Sequence, residues 1–290
     1  MDPIKTIVNV GKYKFQIIDN TLLLRDEIYC RNVKIGGNYS DCVSVSISYK
    51  DNRPDSASIP YIVYDPECSF EVILDRGEGS VTMIKTLLKY IHEQIPTITE
   101  VNFQDNSNIE CANETEIQKE SKHRKKSTNL YPIPLYYFSI AFNGQTWYEK
   151  HFNAKQKDSH KHNAYRDKIQ DLLHSTTLKS NASFLQFLQI STPPVDIIDE
   201  LQTYYEGSDT FGKFFQSIPN HDRCKLVRDW ITSFMVYYLE DKFSNSNWII
   251  ELPIRMAGGR KRTTKKYYCP KGRISCNKTY RDFGIDPNDV

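Results

Sequence analysis

Between Phe70 and Phe103 the chain reads FEVILDRGEGSVTMIKTLLKYIHEQIPTITEVNF, and three signals follow one another there in register. The apolar run Phe70, Val72, Ile73 and Leu74 stops at Asp75-Arg76-Gly77-Glu78-Gly79-Ser80. A helical period follows, with Ile84, Leu87, Leu88, Ile91 and Ile95 on one face, and Pro96 ends it. Thr97 to Phe103 then sets Ile98, Val101 and Phe103 among polar neighbours, which reads as a second strand. Strand, Gly-rich turn, helix and strand in that order predict a βαβ unit with a right-handed crossover, around which the rest of the chain is organised.

Upstream the pattern is β. Ile4 to Val10, Tyr13 to Ile18 and Thr21 to Leu24 are separated by Gly11-Lys12 and Asp19-Asn20, and Val43, Val45, Ile47 and Tyr49 alternate with serines until Asp51-Asn52-Arg53-Pro54. Pro60 to Tyr64 reads as a short edge strand between prolines, and no helix is expected before Ser80. Downstream, Gln104 to Asn129 is polar and carries the basic run Ser121 to Lys126, so a mobile loop is expected. Tyr131 to Phe142 reads as an aromatic strand ending at Asn143-Gly144, followed by a helix over Thr146 to Lys155.

From His160 to Phe243 the spacing turns helical, in five segments, of which Asp222 to Phe243 has the longest period; Trp248 to Ile254 reads as a strand returning to the sheet. These elements predict an α/β (or α+β) body with a mixed sheet over residues 1–158, a helical subdomain with a returning strand over 159–254, and a basic tail over 255–290. An N-terminal β-sandwich with a separate helical domain is the alternative.

Apolar residues make up 39% of the 290, enough for a substantial core. Lys plus Arg number 38 against 36 Asp plus Glu, so no global field favours nucleic acid or an anionic membrane surface. No window is apolar enough to span a bilayer, and no signal peptide is visible. The cysteines Cys30, Cys42, Cys68, Cys111, Cys224, Cys269 and Cys276 are odd in number, scattered and without a C-x-x-C pair, which predicts free thiols in a reducing compartment.

A glycine-rich turn opening a helix presents backbone N–H groups and the positive helix end, which together attract phosphate. Gly77-Glu78-Gly79 between a strand and a helix resembles the pyrophosphate motif of the GNAT acyltransferase superfamily, Gln/Arg-x-x-Gly-x-Gly/Ala, with Leu74 at its first position. Asn143 and Trp147-Tyr148-Glu149-Lys150-His151-Phe152 resemble that family's later Asn and its Tyr-Glu-Lys-x-Gly-Phe helix start, with His151 where glycine is usual. The resemblance covers residues 70–152. It implies a CoA-dependent N-acyltransferase in which Gly77, Gly79 and Ser80 hold the pyrophosphate of acetyl-CoA, Asn143 contacts its pantetheine arm and Tyr148 protonates the leaving thiolate. Glu100, Asp105, Glu149 and His151 are the conceivable bases.

A second resemblance runs from Ile59 to Asp286, over IPYIVYDPECSF, IPTITEVNFQDNSNIEC, IPLYYFSIAFNGQTWYEKHFNAK and GGRKRTTKKYYCPKGR: the chain is similar to a family of uncharacterised proteins of nucleocytoplasmic large DNA viruses. That implies a virion or a viral factory in the host cytoplasm, and it leaves open a non-enzymatic virion structural or assembly role. The stretch from Arg255 to Arg281 holds ten basic residues and no acid. Arg260, Lys261, Arg262, Lys265 and Lys266, interleaved with Tyr267, Tyr268 and Tyr280, are a candidate nucleic-acid arm, the alternatives being a solvated tail or a segment docked on an acidic virion protein. Cys269 and Cys276 lack a second ligand pair, and His160 and His162 read as a polar loop, so no metal is expected.

Overall fold

Alternating apolar and polar residues over Tyr13 to Ile17, Val33 to Ile35 and Val43 to Tyr49 favour strands that bury a single side, and four consecutive antiparallel strands run from Ile4 to Lys50. The structure, a computed structural model, describes residues 2–24, 27–39, 41–111, 131–240 and 246–254; residues up to Ile254 form one compact unit. The strands are β1 (Ile4–Val10), β2 (Tyr13–Leu24), β3 (Glu27–Gly36), β4 (Val43–Lys50) and β5 (Arg53–Ile62). β2 runs unbroken through Asp19-Asn20, where a turn is expected from sequence, and β3 has no sequence-predicted counterpart. With β6 (Glu100–Gln104), β9 (Lys155–Gln156) and β10 (Asn247–Glu251) they make a mixed eight-stranded sheet in the order β1-β2-β3-β4-β5-β6-β10-β9. One pair, β5 with β6, is parallel, and its register covers Ser58↔Asn102 and Ile59↔Phe103 alone.

The helix between them, α1 (Glu78–Gln94), buries Ile84, Leu87, Leu88 and Ile91, as its period predicts. The βαβ unit is therefore β5-α1-β6. Phe70 to Leu74 is not its first strand, because the segment is a loop with Ile73 69% exposed. It is held by Leu74, whose N–H donates to the Pro66 carbonyl, and by a disulfide joining Cys68 to Cys42 at the foot of β4. β5 lies inside the sheet and not at an edge. Pro60 is accommodated there because the β4 register jumps between Ser44↔Tyr61 and Ser46↔Ser58, leaving it at a bulge where no N–H is required.

Register places Phe15, Ile17, Val33, Ile47, Ile59 and Phe103 on one face of the sheet. Tyr90 of α1 reaches that face at Asp19. So do Tyr148 of α3 (Trp147–Phe152), against Phe103, and Tyr165 of α4 (Ser159–His174), against Trp248. The opposite face is polar around Asn32, Ser46, Ser58 and Asn102, as a half-solvated antiparallel sheet allows.

Under Asp19 the covered face contains an ion pair. Arg31 donates from Nε at 2.8 Å and from a terminal nitrogen at 2.5 Å to the carboxylate, and the Tyr90 hydroxyl donates at 3.0 Å. Asp19 is 3% exposed, and its hydrogen bonds hold the Arg31 guanidinium charged, its pKa raised well above the ordinary value. The network ties α1 to β2 and β3.

Tyr131 to Phe142 is a four-residue strand, β8 (Tyr131–Pro134), paired with β7 (Asn108–Cys111), and then a helix, α2 (Leu135–Asn143). The correction is physical: Tyr137, Ile140, Ala141 and Phe142 are all buried, and a segment apolar on every side has no period to separate helix from strand. Beyond it come α5 (Thr176–Asn181), α6 (Phe184–Ser191), α7 (Ile198–Glu206), α8 (Phe211–Ser217), α9 (Arg223–Val227) and α10 (Ile231–Leu239). Their shared core is aromatic, with Trp230 fully buried against Phe187 at 5.0 Å and Phe214 at 6.0 Å between ring centres. The helix expected over Asp222 to Phe243 is two, because the chain turns at Arg228–Trp230 to drive Trp230 into this core, where its indole N–H donates to the Leu226 carbonyl.

Of the described cysteines only Cys30 is a free thiol; Cys42–Cys68 and Cys111–Cys224 are disulfides, with Cα separations of 6.0 and 5.4 Å. The expectation of free thiols fails here, because positions 26 and 113 residues apart reveal nothing in sequence about proximity. Among the described residues no helix is long and apolar enough to cross a membrane.

Candidate functional site

β6 ends at Gln104, and Asp105-Asn106-Ser107 turns the chain into β7. The Ser107 N–H donates to Asp105 Oδ1 at 3.2 Å, its hydroxyl donates to the same oxygen, and the Ser107 carbonyl accepts from the N–H of Leu135, the first residue of α2. An Asx turn is the local reason for an aspartate here. Its setting adds chemistry. Asp105 is half-buried, and burial pushes its carboxyl up to about 6 against the opposing pull of the two Ser107 hydrogen bonds.

Tyr148 meets this turn from α3. That helix starts at a capping box: Glu149 N–H donates to Thr146 Oγ1 at 3.2 Å and Thr146 N–H donates to Glu149 Oε2 at 2.7 Å. The first turn so fixed lays the Tyr148 ring on Phe103, 4.6 Å between centres, at the end of the parallel pair. Its hydroxyl lies beside Ser107, and its pKa is driven far above the phenolic range by burial first and by the Asp105 charge second. The ladder ends at Ile59 and Phe103, one residue before β6 itself ends, and Asp105, Ser107 and Tyr148 stand at that end of β6.

The other half of the predicted site is the start of α1. Gly77 caps the helix at φ 79°, a conformation that favours glycine, and no side chain caps the first turn. The nearby Asp75 carboxylate accepts instead from Lys12 at 2.5 Å and from the Tyr13 hydroxyl at 2.7 Å, which holds it below the usual carboxylate range. Gly79 is explained by packing: a Cβ there would stand 3.0 Å from Leu74 and 3.1 Å from the Tyr13 hydroxyl. Ser80 is half-buried in the first turn.

Asn143 does not join them. It ends a helix and not a strand, is exposed, and accepts from Lys150 at 3.5 Å, about 200° round α3 from Tyr148.

Of the conceivable bases, Glu100 is paired with Lys157 at 3.1 Å on the surface. Glu149 is consumed by its capping box and by the Tyr165 hydroxyl, which donates to it at 2.6 Å. His151 packs on Trp147, and burial, with Lys150 and Lys85 nearby, lowers it to about 4. Asp105 remains. Ser107 is absent from the sequence reading, although the Asp-x-Ser turn after β6 is its signal.

His160 and His162 lie in the first turn of α4 and not in a loop, and His162 Nδ1 accepts from the Gln156 N–H at 3.3 Å. Among the described residues no three His, Cys, Asp or Glu side chains are placed to hold a metal ion. Arg260, Lys261, Arg262, Lys265, Lys266, Cys269 and Cys276 lie outside the described residues, as does the run Ser121 to Lys126. No protein-family model, curated protein or solved structure matches this chain.

Proposed function

We propose that the protein transfers an acyl group from acetyl-CoA to an amine, in the manner of GNAT acyltransferases. The observation that carries this reading is the parallel pair at the sheet centre, joined over two residue pairs, with a carboxyl and a phenol beyond the C-terminal end of its ladder; the helix that bridges the pair has an uncapped N-terminus, which stands by Tyr13 of β2. The N–H groups of the first turn of α1, from Glu78 to Ser80, suit a pyrophosphate, with the glycine at 77 supplying the turn and the one at 79 its packing. Acetyl-CoA enters as the substrate.

In this reading Asp105 accepts the proton of the attacking amine, for which it must be ionised, and Tyr148 hydrogen-bonds the sulfur of the leaving thiolate. The Asp105 charge is one cause of the raised Tyr148 pKa, so protonating Asp105 makes the phenol a better acid as the thiolate departs. Rate is therefore expected to rise with pH through about 6 and then level, since the base is protonated below that value. Asp105→Asn should abolish that limb, and Tyr148→Phe should lower kcat by about 100-fold.

Calorimetric titration of acetyl-CoA and CoA tests binding directly. Ser80→Asp is the control: an acid in the first helical turn favours the helix but repels a pyrophosphate, so affinity should fall about tenfold or more with thermal unfolding unchanged. A side chain at Gly79 would test packing and not binding, since Leu74 and Tyr13 occupy the space it would need. No saturable binding at millimolar ligand to the folded wild-type chain would retire the proposal.

A further inference from the structure

β1 closes one end of the eight-stranded sheet, and among the described residues only β2 lies beside it; the other end is β9, two residues long. Exposed edges are ordinarily blunted by charge, proline or cover. β1 carries a single charge, Lys5, while Ile4 and Ile7 are 61% and 48% exposed. The Gly11-Lys12 turn, with Gly11 at φ 58°, joins Val10 to Tyr13. A two-residue turn closes on a hydrogen-bonded pair, so Val10, Val8, Thr6 and Ile4 bond to β2, and the backbone N–H and C=O groups of Lys5, Ile7 and Asn9 point outward.

We propose that this edge pairs with the same edge of a second copy, antiparallel about a two-fold axis at Ile7, so that the sheet continues through both chains. Outward groups must meet outward groups, which an axis at any residue from Lys5 to Asn9 allows, and Ile7 is the midpoint of β1, so the axis there alone overlaps all seven of its residues. An axis at Lys5 sets two ammonium groups face to face, and one at Asn9 runs each strand past the other's turn. The axis at Ile7 sets Ile7 against its copy, Lys5 against Asn9, Thr6 against Val8 and Ile4 against Val10. Just beyond the strand it sets Asp2 opposite Lys12, whose ammonium already donates to Asp75, so at both ends the partner's carboxylate joins an existing ion pair. β2 runs five residues past β1, from Asn20 to Leu24, and this ledge, with Leu22 and Leu23 each more than 40% exposed, leaves further apolar surface at the same end of the sheet edge. A strand pair alone buries less than the roughly 1,600 Å² of a standard interface, so a micromolar dimer fits the surface.

Sedimentation velocity of the full chain, from low to high micromolar, should show a monomer–dimer equilibrium. Ile7→Pro removes an outward N–H and spares the β1–β2 ladder, so it should weaken the dimer about tenfold or more while the melting curve of the dilute protein stays put. Ile7→Cys should form a covalent dimer with oxidised glutathione, because residues opposite in a hydrogen-bonded pair stand about 5.5 Å apart at Cα. Ile4→Cys, which faces Val10, should not. A chain that stays monomeric throughout, a dimer untouched by Ile7→Pro, or equal crosslinking through positions 4 and 7 would each overturn the proposal.

Discussion

Replacing Cys111 and Cys224 together with serine is expected to lower the stability of the fold by about 4 kcal/mol, a shift of roughly 7 °C in the unfolding midpoint for a chain of this size. The bridge spans 113 residues, and closing a loop of that length in the unfolded chain is worth roughly 4.8 kcal/mol at most by loop entropy. It joins β7, which follows the Asp105–Ser107 turn, to α9 in the helical layer, so hydrogen exchange should quicken first in β7, β8 and that turn. The Cys42–Cys68 bridge spans 26 residues, for which the same argument gives roughly 3.5 kcal/mol. Both sulfurs of that bridge are inaccessible, whereas Cys224 is partly exposed, so a mild thiol reductant should open Cys111–Cys224 first. Mass mapping of the oxidised, folded protein is the decisive check, and free thiols at 111 and 224 would sink this expectation.

Arg31→Met should cost about 3 to 5 kcal/mol, because it leaves the Asp19 carboxylate enclosed with the Tyr90 hydroxyl as its remaining side-chain partner. The loss should appear in chemical denaturation as a lower midpoint. The double variant Asp19→Leu with Arg31→Met removes both charges, and recovery of most of the lost stability would locate the cost in the orphaned carboxylate. If the double variant is as unstable as the single, the pair is not what anchors α1, and Tyr90 packing is.

The candidate site was legible in part. Tyr148 and Asp105 stand out in the sequence as titratable groups near predicted element ends, and Gly77 as a turn residue before a helix. Their relation was not, because Asp105 follows a strand and Tyr148 begins a helix across an intervening hairpin, and the Asp-x-Ser turn that signals Ser107 does not report which distant ring will pack beside it. Asn143 was misplaced for a related reason. The aromatic run before it reads as a strand, and its burial on all sides, which makes it a helix, is set by the surrounding layers.

By itself the sequence determined what short-range forces decide. Alternation sets β1 and β4, the 3.6-residue period sets α1, α4 and α7, and glycine or asparagine at positive φ sets the turns at Gly11 and Asn52. Each depends on neighbours a few residues away, so the information is local. Tertiary structure alone decided that Cys42 meets Cys68, that Asp19 meets Arg31 and Tyr90, and that β5 lies beside β6 over two residue pairs. Those choices depend on which distant surfaces bury best together, a property of the packed chain that no window of residues contains.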